Sequence, residues 1–248
     1  MLSEIEYAYH ITDEEEISKL SDKYSRIYVG HDACPKLLPS YNQMRSYITL
    51  CKKKGISLTL LTSFLFDNDI MRLRRLLDLL YPVSKQLDME IVMNDWGLLE
   101  LIDATKLKIL LGRLLSKQKK GLLLSSEKNN STTYSEAHRQ LHADYLQPFL
   151  SENGINRVET DNVKQGIVRK SDLLVSVYYP YVLASVSTEC VECDLNLGNC
   201  SKSCEDKLLL LSNPCLHDKI LYKGNSQFYL NKRSLDFVPD RLVLWEKP

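Results

Sequence analysis

The chain alternates short apolar runs with longer stretches in which apolar residues recur every three or four positions. "SRIYVGHD" (25–32), "ISLTLLTS" (56–63), "MEIVMND" (89–95), "LKILLGR" (107–113) and "INRVETD" (155–161) read as strands that stop in polar residues. Between them, "SYNQMRSYITLCKKKG" (40–55) has helical spacing and a terminal glycine, and "DNDIMRLRRLLDLLYPVSKQLD" (67–88) carries a leucine stripe behind an Asp/Asn start. "WGLLELIDATK" (96–106) predicts a short helix and "EAHRQLHADYLQPFLSENG" (136–154) a longer one stopping at Gly154. "SSEKNNSTTYSE" (125–136) is a polar loop, "DLLVSVYYPYVLASVST" (172–188) one long β-rich run, and the tail from 219 onward a set of short strands and turns.

Strands without internal alternation, each followed by a helix, predict a parallel sheet covered by helices, with right-handed crossovers. Six or seven parallel strands can be counted, whereas a complete α/β barrel has eight and about 250 residues. The expectation is therefore an α/β, TIM-barrel-like fold, incomplete or distorted, as a single domain over residues 1–248. Within it, residues 188–248 form a Cys-rich segment and short strands packed on the barrel. No G-x-G-x-x-G follows the first strand, which argues against an open dinucleotide-binding sheet.

Composition narrows the function classes. The 248 residues carry 32 Lys plus Arg against 32 Asp plus Glu, so no net field draws the chain to nucleic acid or anionic membrane. The one basic stretch, "KLKILLGRLLSKQKK" (106–120), reads first as a helix with solvated cations. The N-terminus is acidic and lacks the apolar run of a signal peptide, and no apolar stretch approaches the length of a membrane span. A cytoplasmic, membrane-free protein with reduced thiols is expected, and seven cysteines, an odd number, cannot close a full disulfide framework.

Functional groups of a parallel barrel gather at the C-terminal ends of its strands. Those ends carry His31, Asp32 and Cys34; Asn94, Asp95 and Trp96; Arg113; then Glu159 and Asp161. Each has a bland reading beside the chemical one: Asp95 and Asp161 as helix caps, Glu159 as an internal ion pair with Arg113, His31 as a lone histidine. The cysteines are denser. Cys190, Cys193, Cys200 and Cys204 are followed by Cys215, a spacing short of two C-x2-C zinc knuckles. A thiolate group of this size is costly without a metal, and an iron–sulfur cluster tolerates more varied spacing and a distant fourth ligand. Local chemistry favours iron–sulfur over zinc, with zinc left open. Cys34, at a strand end before Pro35, is the distant candidate. Cys51, at helical spacing, reads as a small core hydrophobe.

"IYVGHDACPK", "EIVMNDWGLLELI", "LKILLGRLLSKQKKG", "NRVETDN" and "LYKGNSQFYLN", in that order over roughly residues 25–245, resemble the collagenase-like peptidase family U32 in its short branch. The resemblance implies a TIM-barrel-like core and a 4Fe–4S cluster held by one early and three late cysteines. These map to Cys34, Cys190, Cys200 and Cys204, with Cys193 as the alternative to Cys190. It also relates the chain to proteins of oxygen-independent ubiquinone and tRNA hydroxylation, with prephenate as hydroxyl donor and related chains working in pairs.

The expected function is therefore an iron–sulfur protein that hydroxylates or otherwise modifies a small aromatic molecule or an RNA base without O2, alone or as one subunit of a heterodimer. His31, Asp95, Arg113, Glu159 and Asp161 would line its pocket. A protease, as the family name suggests, and a non-catalytic partner with a structural iron–sulfur or zinc site are the alternatives. No Ser/His/Asp spacing and no H-E-x-x-H helix supports the protease. Zero net charge argues against tRNA and for a small-molecule substrate.

Overall fold

The computed structural model describes residues 4–116, 118, 120, 145–164, 166–167, 172–193, 200–204, 207–212 and 219–246. The chain opens with strand β1 (Glu6–His10) and helix α1 (Glu14–Lys19), followed by β2 (Arg26–Gly30), α2 (Tyr41–Lys54), β3 (Ser57–Leu61), α3 (Asp67–Leu80), β4 (Glu90–Met93) and β5 (Lys108–Leu111). It continues with α4 (Leu146–Glu152), β6 (Arg157–Asp161), β7 (Leu174–Tyr179), β8 (Tyr181–Val186), β9 (Leu209–Leu211), β10 (Ile220–Lys223), β11 (Ser226–Leu230) and β12 (Arg241–Leu244).

Local sequence explains the helices. Ser40 and Gln43 form a capping box at the start of α2, and Gly55, at φ 67°, ends it in the left-handed conformation that a glycine takes without a Cβ penalty. Met44, Tyr47, Ile48 and Cys51 then fall on one buried stripe of α2, and Leu73, Leu76, Leu77 and Leu80 on one of α3. Residues 96–106 differ from the expected helix: after Asp95 caps it, only a 3-10 turn, Trp96–Glu100, connects β4 to β5.

Eight parallel strands close in the order β1-β12-β7-β6-β5-β4-β3-β2. The barrel is complete, not partial, because β1 and β12 pair with each other in parallel over Glu6–Tyr9 and Arg241–Leu244. The long run 172–188 is two strands split at Pro180: β7 stays in the barrel, and β8 joins a second, antiparallel sheet of order β8-β11-β10-β9. That sheet lies over the C-terminal end of the barrel, where Leu183 and Phe228 pack with Trp245. Residues 188–248 are thus not wholly outside the barrel, since β12 is one of its staves. No helix among the described residues is long and apolar enough to cross a membrane.

Alternate strand residues face outward to the helices or inward to the barrel axis. Outward, Ile27, Leu60, Ile91, Ile109, Val158 and Val175 belong to the main core. Inward, the middle layer is apolar, with Ala8, Val92, Leu110 and Val243 around Tyr28 and Tyr178. The layer below it is ionic. Arg241 forks onto Glu90, at 2.6 and 3.0 Å, and donates to Glu6 at 2.7 Å, while Arg26 donates to Glu6 at 2.7 Å and to Asp88 at 2.5 Å. Burial would raise the Glu90 pKa, but Arg241 and Arg26 hold it below the usual carboxylate value. Arg241→Leu would strand Glu90 as an under-compensated buried charge beside the β1–β12 seam. We expect a loss of about 3–5 kcal/mol in urea unfolding, the usual cost of breaking a buried pair from one side.

Candidate functional site

At the C-terminal end of the barrel, Arg113, one residue beyond the β5–Gly112 junction, is fully buried. Its guanidinium donates to Asp161 Oδ1 at 2.7 Å and to Asp32 Oδ2 at 2.5 Å, and lies 3.7 Å from the centre of the Tyr178 ring. Asp32 also accepts from Asn94 Nδ2 at 2.9 Å, while Asn94 Oδ1 accepts the Leu114 amide at 2.9 Å. A Cβ on Gly112 would stand 2.1 Å from Asn94 Oδ1, so this contact requires glycine. Asp161 accepts the Leu183 amide of β8 at 3.0 Å and pairs with Lys120. Burial would raise the Asp161 pKa, but Arg113 and Lys120 hold it below the ordinary range. The 106–120 stretch is therefore not a solvated cationic helix: Arg113 and Lys120 turn inward onto carboxylates.

A group of thiols lies beside this node. Cys34 precedes a 3-10 turn, Pro35–Leu37, whose Leu37 amide donates to the Cys34 carbonyl at 3.2 Å and whose Lys36 and Leu37 amides lie near enough to its sulfur to favour the thiolate. Cys190 accepts the Glu192 amide and Cys200 the Lys202 amide, each at 3.4 Å. Cys193 lies close to Cys190 and Cys200, and burial together with these neighbours raises its pKa. Burial pushes Cys34 up to about 11, with Cys204 and Cys200 adding to the rise. Cys204 also reaches about 11, through burial first and then Cys190 and Cys200. The early cysteine and the late ones are thus within electrostatic reach of one another.

No disulfide joins the described cysteines. No three described His, Cys, Asp or Glu side chains close around a single ion position. The donor chemistry nevertheless fits a thiolate-held metal centre. Crowded, buried thiols resist losing their protons, a soft or borderline cation removes that resistance, and amide N–H groups aimed at sulfur favour the thiolate. Cys51 lies in the α2 stripe as a hydrophobe, and Cys215 falls outside the described residues.

Two imidazoles line a cleft of about 820 Å³ that runs from α1 to Lys202, which lies between Cys200 and Cys204 in sequence, and is also bounded by Lys223 and Tyr181. His31 Nδ1 accepts the Ala33 and Cys34 amides at 3.0 and 3.2 Å, which leaves its proton on Nε2. His10 Nε2 meets the Gly30 carbonyl at 2.8 Å, which makes Nε2 the donor. Both rings stand edge-on to Trp245. Burial lowers their pKa values, to about 3 for His31 and about 4 for His10, so both are neutral at pH 7.

Of the five expected acid–base residues, the fold brings Arg113, Asp161 and His31 to this end of the barrel. Asp95 is an N-cap, its two oxygens accepting the Gly97 and Leu65 amides at 2.9 and 3.1 Å. Glu159 does not pair with Arg113. It lies deeper in the barrel, fully buried, accepting from Tyr28 Oη at 3.0 Å with its second oxygen unpartnered. Asp32 and Asn94 sit at polar strand stops visible in the sequence. His10 and Trp245 flank strands whose apolar signal is weak, and Lys120 lay in the stretch read as solvated.

The chain shares its fold with the U32 peptidase Mk0906, at 12% identity and TM-score 0.52 over 99% of this chain and 95% of that one. A class V chitinase from Nicotiana tobaccum aligns over 97% of this chain and 93% of its own at 14% identity, with a TM-score of 0.32 that supports no argument. No protein-family model matches the chain, and no curated protein does. The likeness to Mk0906 establishes the architecture alone, and function has to come from the site.

Burial raises the Glu159 pKa to about 7. A carboxyl whose pKa rises on folding keeps its proton in the native state after the unfolded chain has lost it, so it destabilises the fold as pH rises from about 4.5 to 7. Glu159→Gln keeps the acceptor for Tyr28 and removes the titration. The variant should gain on wild type across that window, by at most about 1.4 kcal/mol per pH unit, in urea midpoints at pH 5, 6, 7 and 8. Parallel pH profiles for the two proteins would refute the buried-acid assignment.

Proposed function

We propose that this chain is an iron–sulfur protein in which Cys34, Cys190, Cys200 and Cys204 hold a 4Fe–4S cluster at the C-terminal end of the barrel, with a small-molecule substrate bound in the adjoining cleft. What carries the reading is that Asn225 ties the Ala33 carbonyl, next to Cys34, to the Ser187 carbonyl, before Cys190, at 2.6 and 2.8 Å, with Cys34 in electrostatic reach of Cys204 and Cys200. The reaction class we infer is an oxygen-independent hydroxylation or related modification of a small aromatic molecule, with the hydroxyl taken from a prephenate-like donor. The resemblance of the sequence motifs to the U32 family supports that class. A heterodimer with a related chain remains part of the proposal.

A bound cluster supplies one-electron transfer and a Lewis-acidic iron. The protein's own residues supply the rest. Amides of Lys36, Leu37, Glu192 and Lys202 stabilise charge on sulfur. His31 and Trp245 both line the cleft, and with Nδ1 taken by backbone amides the remaining donor of the imidazole is Nε2–H. Asp32 and Asp161 hold Arg113 at the edge of a second, smaller cavity of about 530 Å³ along β8. Arg113 and Lys120, two of the described cations of the basic stretch, are engaged with buried carboxylates and are not offered to RNA phosphates.

Among the described residues, the local pair that a protease would use, Cys34 with His31, is not a nucleophile–base pair. His31 Nδ1 is taken by backbone amides, and the raised pKa of Cys34 is the reverse of an activated thiol.

Anaerobically purified protein should show a broad visible absorption that bleaches on reduction, with iron and sulfide near four each per chain, as a 4Fe–4S cluster requires. Cys34→Ser should abolish it and Cys193→Ser should spare it. Stoichiometric zinc with no sulfide, or iron retained in full by Cys34→Ser, would overturn the proposal.

A further inference from the structure

The two-residue turn Gly224-Asn225, between β10 and β11, lies against Cys190 and Cys204 and bonds to the backbone next to Cys34. Gly224, at φ 58°, has no Cβ; one built there would come to 3.3 Å from the Cys204 sulfur and 3.7 Å from that of Cys190, so both sulfurs rest against bare backbone. The Gly224 carbonyl accepts the amide of Val191, the residue after Cys190, at 3.2 Å. Asn225 is 2% exposed. Its Nδ2 group donates one hydrogen to the Ala33 carbonyl at 2.6 Å, next to Cys34, and the other to the Ser187 carbonyl at 2.8 Å, three residues before Cys190. Its Oδ1 accepts from Ser226 Oγ at 3.1 Å, which fixes which end of the amide faces the two carbonyls. The Asn225 carbonyl accepts the Ser187 amide at 2.9 Å.

We infer that Asn225 is a positioning residue: a clamp that ties the barrel loop bearing Cys34 to the outer-sheet loop bearing Cys190, with Gly224 leaving room for the sulfurs beneath it. This rests on the thiol group being a metal site. The clamp itself, however, is a property of the protein alone. The two loops belong to different sheets and share no strand pairing, so a planar NH2 group with two hydrogens and two carbonyl acceptors is the simplest bridge between them. A carboxylate in the same place has no hydrogen to give and would face two carbonyl oxygens with charge.

The test separates the clamp from the metal. In metal-free, reduced, full-length protein, dibromobimane should join the Cys34 peptide to the Cys204 peptide, identified by mass spectrometry after digestion. Asn225→Asp should lose most of that cross-link while keeping the wild-type circular dichroism. Reconstituted with iron and sulfide, the variant should bind metal roughly 10- to 100-fold more weakly, the ordinary cost of a lost outer hydrogen-bond partner. Asn231→Ala is the control. Its side chain donates to the Asn162 carbonyl at 2.6 Å, at the far end of β11, so its loss should lower stability without touching the cross-link. If Asn225→Asp retains the wild-type cross-link, or Asn231→Ala loses it equally, Asn225 is not the clamp. If the wild-type cross-link forms but no metal binds, the clamp stands and the iron–sulfur reading fails.

Discussion

The C-terminal end of the barrel depends on one buried cation. Arg113 fixes Asp32 behind β2 and Asp161 at the end of β6, and its guanidinium lies against Tyr178 of β7. Through Asp32 it also fixes Asn94 behind β4. Removing it would leave two buried carboxylates with only Lys120 as counter-charge, a far larger penalty than the loss of any one hydrogen bond. Geometry follows from this charge balance. Asp32 is two residues before Cys34, so the cation that neutralises the mouth also sets where the early thiol stands. Asp161 accepts the Leu183 amide, so the same cation seats β8, the first strand of the sheet that brings the late cysteines.

The outer sheet is therefore docked by polar contacts from below and by apolar contacts at its centre. Leu183 and Phe228 cover the interior cluster around Trp245, while the rim is held by Asn162 and Asn231, each of which donates to the other's carbonyl or its neighbourhood. Such an arrangement places irregular, thiol-bearing loops against a rigid scaffold, which is how folds of this class separate function from stability.

Sequence pattern made the five strands with dense apolar runs legible, and the capped helices with them. It missed β1, and read β12 only as a short tail strand rather than a barrel stave, for a definable reason. Their inward positions are Glu6, Ala8 and His10, and Arg241, Val243 and Trp245, so half of each strand looks like surface. What makes them interior is a charge pairing between Arg241 and Glu6, 235 residues apart, which local periodicity cannot contain. Pro180 did mark the break between β7 and β8, since a proline cannot donate within a central strand, but the flanking aromatic run masked it. At the site, thiol density was visible in the sequence. Its strand-end position made Cys34 the distant candidate and family resemblance named it a ligand, but the role of Asn225 came from neither, because its partners are carbonyls and any residue has one.

The barrel interior carries two polar layers separated by an apolar one, and they differ in saturation. In the lower layer, Arg26, Arg241, Glu6, Glu90 and Asp88 satisfy one another, and each cation faces more than one acceptor. From Tyr178 of the middle layer upward, His10 Nδ1, Arg113 Nε, Tyr178 Oη and Trp245 Nε1 are buried with no partner among the described residues. A buried polar atom left unpaired costs about 1–3 kcal/mol, so a fold selected for stability alone would not gather several in one place while the five charged groups of the ionic layer pair with one another; Glu159 Oε2, deeper than Arg113, is a further unpaired atom. The asymmetry matches the general division of parallel barrels into a stabilising N-terminal face and an acting C-terminal face. Here it assigns the unsaturated groups to the same end as the thiols and the His31 cleft.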